Sequence, residues 1–117
     1  MSTSVLIVDD HPGFRASARR MLEASGYAVV GEAADGAAAI AAARELSPDL
    51  VLLDVQLPDI SGFEVAGRLA ELGEGADVVL TSSRAAAEYG DEVAESPAAG
   101  FIAKDELSGR TIAELTG

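Results

Sequence analysis

The sequence of 117 residues predicts an α/β protein in which one parallel sheet of five strands carries helices on both faces. The first observation behind this prediction is that short apolar runs alternate with longer stretches of helical spacing. The second is that glycine, proline or a capping residue separates most of these stretches. Apolar residues make up 49% of the chain and aromatic residues only 4%, so the core must be built from Val, Leu, Ile and Ala.

The first strand is predicted over Val5–Val8, and it ends in the acidic pair Asp9-Asp10. A short, continuous apolar run of this kind is typical of a strand that is buried on both faces. Pro12 follows at a position that favours the first turn of a helix. His11, just before it, is expected to serve the entry into this helix, and contact with a site on the neighbouring acids is the alternative.

The second and third units follow the same plan. A strand is predicted over residues 27–34, and Asp35 then caps an alanine-rich helix over residues 37–46. The third strand begins with the fully apolar run Leu50–Leu53. Ser61 carries the hydroxyl of a helix N-cap and predicts the start of the third helix.

The fourth and fifth units are less regular. A strand is predicted over residues 77–81 and a single helix over residues 84–95, although Gly90 lies inside that helix. Glycine costs about 1 kcal/mol relative to alanine within a helix, so this helix is expected to be marginal. The fifth strand is predicted over residues 99–103, and Asp105 is expected to cap the last helix.

Five strand–helix units with right-handed crossovers leave few topologies for the sheet. Two fit this pattern: a flavodoxin-like order, 2-1-3-4-5, and a half-Rossmann order. The whole chain, residues 1–117, is expected to form a single domain with the three layers helix, sheet and helix.

Acidic, hydroxyl or amine groups stand at the carboxyl ends of four predicted strands. In order, they are Asp9, Asp10, Asp54, Thr81 and Lys104. In the flavodoxin-like order the first and third strands are neighbours, and ligands bind in the crevice at their carboxyl ends. Each residue alone has a purely structural explanation, such as a turn, a backbone hydrogen bond or a solvated charge. Their joint occurrence at four strand ends is what indicates a site.

Carboxylates that share one crevice repel one another, so raised and coupled pKa values are expected there. A hard divalent cation offsets the repulsion, and Mg²⁺ prefers carboxylate oxygens and waters as ligands. The sequence therefore predicts a Mg²⁺ site on Asp9, Asp10 and Asp54. The backbone carbonyl of Gln56 is expected to complete the protein's share of the ligands.

The same groups suit an in-line phosphoryl transfer to a carboxylate. The metal and Lys104 neutralise charge on the equatorial oxygens of the phosphoryl group, and the Thr81 hydroxyl donates a hydrogen bond to one of them. The protein then contributes position and charge rather than elaborate acid–base chemistry.

At this point the sequence resembles the receiver domain of two-component response regulators over essentially its whole length. Four segments carry the resemblance: residues 5–10 (VLIVDD), 52–62 (LLDVQLPDISG), 78–82 (VVLTS) and 100–104 (GFIAK). The resemblance implies that Asp54 accepts a phosphoryl group from a phosphohistidine on a sensor histidine kinase or a phosphotransfer protein. It also implies that Asp9 and Asp10 hold Mg²⁺, with Asp10 the more direct ligand.

The resemblance further implies a switch. Thr81 would bond to the phosphoryl group and shift on activation, Lys104 would pair with that group, and Phe101 would be the aromatic switch residue. A surface on the fourth helix, fifth strand and fifth helix would then change, for a homodimer or for a downstream protein. The subfamily that it most resembles often carries a helix-turn-helix DNA-binding domain, so this chain is either a stand-alone receiver or part of a longer protein.

Three positions depart from the family's common pattern. Asp105 follows the lysine where many receivers have proline, so a trans peptide bond is expected. Ser82 stands where alanine is commoner and is expected to alter access to the phosphoryl group. The side chain of Gln56 lies where it can steer attacking water, which leaves the lifetime of the phosphorylated state open.

Gly90 suggests that the fourth helix is marginal so that it can move on activation, and Gly90→Ala is expected to stiffen it.

The bulk composition restricts the partners and the setting. A net charge of −12, from 20 acidic and 8 basic residues, repels nucleic acid and anionic membranes, so this chain itself is expected to bind neither. The absence of cysteine excludes disulfides and thiolate metal sites. With no signal peptide and no bilayer-spanning run, a cytoplasmic location is expected.

Three alternatives stay open at this point. A flavin- or nucleotide-binding module has the same architecture, but the acidic loop after the first strand repels phosphate. An aspartyl-phosphate phosphohydrolase usually has a second Asp two residues after its nucleophile, where this chain has Gln56. A degenerate receiver would act as a protein-interaction module without phosphate, although no site residue is missing.

Overall fold

The computed structural model describes residues 2–73 and 75–116 of the chain. The strands are β1 Ser4–Val8, β2 Ala28–Ala33, β3 Leu50–Asp54, β4 Asp77–Ser82 and β5 Gly100–Ala103. The helices are α1 Pro12–Ala24, α2 Gly36–Leu46, α3 Gly62–Leu72, α4 Glu92–Glu95 and α5 Gly109–Thr116. In these two ranges no helix has the length and apolar character needed to cross a bilayer.

The five strands form one sheet in the order β2-β1-β3-β4-β5, and every neighbouring pair is parallel. The flavodoxin-like prediction is therefore confirmed, and the half-Rossmann order is excluded. Val8 of β1 pairs in register with Leu53 of β3, and Asp54 pairs with Thr81 of β4. The residues that end these three strands consequently emerge at one level of the sheet.

Each face of the sheet buries its own apolar cluster because successive side chains of a strand point to opposite faces. Leu6 and Val8 of β1 pack with α2 and α3, whereas Val5 and Ile7 pack with α1 and α5. β3 is buried along its entire length. A central strand that is covered on both faces requires the continuous apolar run that the sequence shows there.

The predicted helix starts at the first three helices are confirmed. Pro12 is the first residue of α1. The Asp35 carboxylate accepts a hydrogen bond from the Ala38 amide at 2.7 Å at the start of α2. The Ser61 hydroxyl accepts one from the Glu64 amide at 3.2 Å at the start of α3. These caps satisfy amides that have no partner within the helix.

The predicted single helix over residues 84–95 is wrong. Residues Ala86–Tyr89 form a 3₁₀ turn, and the short helix α4 begins only at Glu92. Gly90 separates them with a φ of 61° and a ψ of −133°, a backbone conformation that residues with a side chain rarely adopt. The glycine therefore breaks the helix instead of merely weakening it.

The predicted cap on the last helix is also wrong. Lys104–Glu106 forms a 3₁₀ turn, so Asp105 does not start α5. Ser108 and Thr111 exchange hydrogen bonds instead, each hydroxyl accepting from the other residue's amide at 3.0 Å, at the beginning of α5. The peptide bond before Asp105 is trans, as predicted.

Candidate functional site

Three carboxylates and one imidazole meet at the carboxyl ends of β1 and β3. One oxygen each from Asp9, Asp10 and Asp54 and one ring nitrogen from His11 all lie within 4.8 Å of one another. The adjacency of β1 and β3 produces this cluster, because Asp9 follows β1 directly and Asp54 is the last residue of β3. The structure thus brings the three predicted acids together.

Asp54 is buried, with 3% of its surface exposed, and Asp9 beside it is fully buried. Burial and, after it, the negative charge of Asp9 raise the pKa of Asp54 from 3.8 to about 6, whereas Lys104 acts in the opposite direction. The raised pKa that the sequence predicts is therefore found at Asp54. Asp10 lies at the more exposed rim of the cluster.

Lys104 reaches into the site from the end of β5. Its Nζ lies 2.7 Å from Asp9 Oδ2 and 3.6 Å from Asp54 Oδ2, and it also lies 4.3 Å from the centre of the Phe14 ring. Asp9 Oδ2 is buried and has no well-oriented hydrogen bond within residues 2–73 and 75–116, so the charge of Lys104 is its compensation. Lys104 accordingly joins the acids, as the sequence predicts.

His11 has a larger part in the cluster than its expected role in helix entry. It occupies the N-cap position of α1, and its Nδ1 lies 3.1 Å from Asp9 Oδ1 and 3.0 Å from Asp10 Oδ1. Its side chain is 71% exposed, so it lies on the solvent side of the cluster. His11 therefore both contacts the acids of the site and begins helix α1.

The loop between β3 and α3 closes tightly behind Asp54. The Gln56 amide donates to Asp54 Oδ1 at 3.2 Å, and the Gly62 amide donates to the Val55 carbonyl at 2.7 Å. A Cβ atom at Gly62 would overlap the Asp54 carbonyl oxygen, so only glycine allows α3 to start this close to the strand. Gln56 is thus placed beside the phosphoacceptor candidate through its backbone.

The two hydroxyls at the end of β4 have different partners. Thr81 is level with Asp54, but its buried hydroxyl donates to the Ile102 carbonyl of β5 at 2.7 Å. Ser82 is fully buried, and its hydroxyl lies 2.6 Å from the Tyr89 hydroxyl and accepts from the Arg84 amide at 3.1 Å. The sequence predicts the hydroxyl role for Thr81 and an effect of Ser82 on access to the phosphoryl group, and both stay predictions.

Phe101 belongs to a row of three aromatic rings on the α3 and α4 side of the sheet. Its ring centre lies 6.0 Å from that of Tyr89, which lies 5.5 Å from Phe63 in an edge-to-face arrangement. Phe101 is half-buried. The Ser82 hydroxyl therefore contacts the central ring of the row that includes the predicted aromatic switch residue.

The donor groups fit a hard divalent cation. They are three carboxylates with oxygens that converge within 4.8 Å, one of them the buried Asp9 carboxylate with a poorly satisfied oxygen. The raised pKa of Asp54 reflects in part the repulsion that such a cation would offset. Oxygen ligands of this kind favour Mg²⁺ over softer metals, and the Gln56 carbonyl would add a neutral oxygen.

The fold and this arrangement of acids and lysine define the chain's class, and sequence comparison agrees. The model of the response regulator receiver domain family matches residues 5–116. The chain belongs to this family and is a receiver domain of the response regulators of two-component systems. This family is neither of the two other classes that the sequence leaves open, the flavin- or nucleotide-binding module and the aspartyl-phosphate phosphohydrolase.

Individual relatives agree with this assignment. The chain is 40% identical over 104 residues to a Pseudomonas aeruginosa protein named as a transcriptional regulator, covering 89% of this chain and 50% of that one. It is 38% identical over 106 residues to BvgA of Bordetella pertussis, named as a transcription regulator of virulence factors, covering 91% and 51%. The chain thus spans about half the length of these curated relatives.

Solved structures show the same fold. The signal receiver domain of the NarL response regulator from Mycobacterium tuberculosis superposes with a TM-score of 0.89 at 33% identity, over 99% of this chain and 98% of that one. A LuxR-family two-component response regulator from Aurantimonas sp. SI85-9A1 gives 0.88 at 31% identity, over 100% and 87%. The site geometry above is therefore set in a receiver fold.

Proposed function

We propose that Asp54 accepts a phosphoryl group from a phosphohistidine on a sensor histidine kinase or a phosphotransfer protein, in a reaction that needs Mg²⁺. The observation that carries this proposal is the buried Asp54 carboxylate flanked by Asp9 and, at 3.6 Å, by Lys104. A pKa of about 6 leaves Asp54 mostly ionised at neutral pH, which is the state that a nucleophile needs.

The transfer is a substitution at phosphorus. An oxygen of Asp54 forms the new P–O bond while the P–N bond to the donor imidazole breaks and its electron pair stays on that nitrogen. Lys104 pairs with the charge on the transferred group, and the buried surroundings of Asp54 strengthen that attraction. Mg²⁺, held by Asp9, Asp10, Asp54 and the Gln56 carbonyl, supplies charge neutralisation when it is bound.

Two hydroxyls, those of Thr81 and Ser82, are candidates for the group that hydrogen-bonds to the phosphoryl group. Thr81 stays the prediction from sequence, but it would have to give up its bond to the Ile102 carbonyl. Ser82 has one hydroxyl hydrogen, and its direction is coupled to the Tyr89 hydroxyl at 2.6 Å. We keep Thr81 for this role, because it pairs with Asp54 across the sheet and its side chain lies on the same face, whereas the Ser82 side chain points to the other face. A shift of Thr81 would move the adjacent Ser82, whose hydroxyl contact holds Tyr89.

Tyr89 is the route by which this change would reach the surface. The 3₁₀ turn Ala86–Tyr89 and helix α4 contain no fully buried residue, so few contacts hold residues 84–97 on the sheet. A shift of Tyr89 would also disturb its neighbour Phe101. We infer that α4, β5 and α5 form the surface that changes, for a second copy of the chain or for a downstream protein.

The relatives connect this function to transcription. EvgA of Escherichia coli K12, 29% identical over 112 residues, is named as a DNA-binding transcriptional activator. The net charge of −12 argues that DNA contact by a longer protein would not be made through this domain. A cytoplasmic setting stays a prediction.

Intact-mass measurement tests the proposal. The wild type, Asp54→Asn and Asp10→Asn are incubated with a small acyl phosphate, with MgCl₂ or with a chelator. The expected result is one added phosphoryl group in the wild type with MgCl₂, a much slower gain in Asp10→Asn and none in Asp54→Asn. A wild type that gains no mass with this donor or with a phosphorylated kinase supports the degenerate receiver instead.

A further inference from the structure

The loop that carries Gln56 is tied to a helix that takes no part in the phosphoacceptor site. Asp59 lies in the middle of this loop, between β3 and α3, and its carboxylate reaches the first turn of α2. Oδ1 accepts a hydrogen bond from the Gly36 amide at 2.8 Å, and Oδ2 accepts one from the Ala37 amide at 2.9 Å. One carboxylate thus bridges two segments that are 22 or more residues apart in sequence.

Packing reinforces this bridge. The Ile60 side chain lies against Gly36 so closely that a Cβ atom at residue 36 would overlap it. The two turns therefore interlock, Asp35-Gly36 on one side and Asp59-Ile60 on the other. The hydrogen bonds from the Gly36 and Ala37 amides lower the pKa of Asp59, so its carboxylate is ionised at neutral pH and lies favourably at the helix N-terminus.

Helix α2 has its own N-cap, Asp35, so the two hydrogen bonds to Asp59 are not needed to start the helix. Asp35 accepts a hydrogen bond from the Ala38 amide at 2.7 Å, and its carbonyl accepts one from the Ala39 amide at 3.0 Å. The helix start is accordingly defined without Asp59. What Asp59 adds is a fixed distance between α2 and the loop.

That distance bears on the site because the loop is short and stiff. Only Leu57 and Pro58 separate Asp59 from Gln56, and proline fixes its own φ. On the other side of Gln56, its amide donates to Asp54 Oδ1 at 3.2 Å. Gln56 is thus held between the acid at the end of β3 and the anchor on α2.

We propose that Asp59 is a positioning residue for the phosphoacceptor site: it holds the loop so that the Gln56 carbonyl faces the cation held by Asp9, Asp10 and Asp54. The inference rests on the proposed function and deepens it. It gives an exposed acid, which does not touch Asp54, a role in Mg²⁺ affinity. Partners that orient metal ligands typically contribute 10- to 100-fold in affinity, and a backbone ligand should lie near the lower value, roughly tenfold.

The test compares Asp59→Ala with Asp35→Ala, because both variants remove one capping carboxylate from the same helix. The dissociation constant for MgCl₂ is measured by calorimetry, and amide exchange is measured over residues 55–61. We expect both variants to lower the urea midpoint. Only Asp59→Ala should weaken Mg²⁺ binding, by roughly tenfold, and speed exchange in the loop.

Equal Mg²⁺ affinity in the two variants would overturn the inference. If Asp59→Ala does not fold, Asp59→Asn takes its place, since it keeps one acceptor oxygen, and weaker binding than in Asp35→Ala is again required. The wild type separates the two levels of failure. A wild type that neither binds Mg²⁺ nor gains a phosphoryl group refutes the proposed function, whereas a competent wild type with matched variants refutes only the role of Asp59.

Discussion

Asp54 is the residue at which stability and the proposed chemistry oppose each other. Burial and the neighbouring Asp9 raise its pKa to about 6, against 3.8 in an exposed aspartate. The folded state therefore binds more protons than the unfolded state between these two values. Stability then falls as pH rises through this window, and the cost is fully present above pH 6.

Asp54→Asn should consequently stabilise the metal-free domain at pH 7, by up to about 3 kcal/mol. The gain should shrink below pH 6 and vanish only well below pH 3.8, where the wild-type carboxyl is protonated in both states. Urea unfolding in the presence of a chelator, at several pH values, measures it. A gain that does not change with pH would contradict the assigned cause.

The hydroxyls of Thr81 and Ser82 make a second pair of predictions at this scale. Thr81→Val leaves the Ile102 carbonyl without its side-chain donor and should cost about 1 kcal/mol of stability. It should also slow phosphoryl uptake or shorten the phosphorylated lifetime by roughly tenfold, because it removes a donor to a charged group. Ser82→Ala should release Tyr89 with little effect on phosphoryl uptake. Intact-mass time courses measure both rates, and the reverse pattern would assign the role to Ser82.

The sequence predicts the charged residues of the site well because residue type and strand end suffice to place them. Asp9, Asp54 and Lys104 follow apolar runs whose length alone marks where the strands stop. The choice between adjacent hydroxyls is different. It depends on which one finds a partner on β5 and which one meets Tyr89, and these contacts are tertiary.

At the scale of elements, the segment over residues 84–97 is where sequence reasoning fails. A glycine in a helix costs only about 1 kcal/mol, so the pattern alone favours a continuous helix. The structure instead uses Gly90 at a positive φ, and Tyr89 is anchored on Ser82 and two aromatic rings. Those contacts lie outside the segment, so its own sequence does not reveal them.

The geometry of Gly90 also changes what Gly90→Ala should do. Alanine is strained at this φ and ψ, by about 1–2 kcal/mol, so the substitution should favour a continuous helix over the broken form. We expect more helical signal in circular dichroism and one protected block over residues 85–95 in amide exchange. Unchanged signal and exchange would show that the break does not depend on glycine.

The start of α5 was missed for a simpler reason. Asp105 has the composition of a cap, but Ser108 and Thr111 exchange the hydrogen bonds that begin the helix. Both hydroxyls are visible in the sequence at the required spacing of three residues. Leu107 and Ile112, on either side of this start, both pack against the core on the α1 and α5 face of the sheet.

At the scale of the whole molecule, the order of the strands was predictable because right-handed crossovers restrict five strand–helix units to a few arrangements. The core on each face followed from apolar runs alone. The coupling between remote segments was not predictable in this way. The contact of Asp59 with α2 depends on the final separation of two loops, which no local pattern encodes.

The proposed metal site leads to a prediction for the stability of the whole domain. The proposed Mg²⁺ site exists only in the folded chain, so Mg²⁺ at 100 times its dissociation constant should stabilise the domain by about 2.7 kcal/mol. Thermal unfolding with MgCl₂, against NaCl at equal ionic strength, separates specific binding from general screening of the −12 charge. Asp10→Asn should lose most of the difference, and an equal response in that variant would count against the metal site.

We propose that one carboxylate, Asp54, receives the phosphoryl group. The most direct test treats the phosphorylated wild type with borohydride, which reduces an aspartyl phosphate to homoserine, and then maps the peptides. We expect homoserine at residue 54 alone. Homoserine at residue 9 or 10, or phosphoryl uptake with aspartate retained at residue 54, would contradict it.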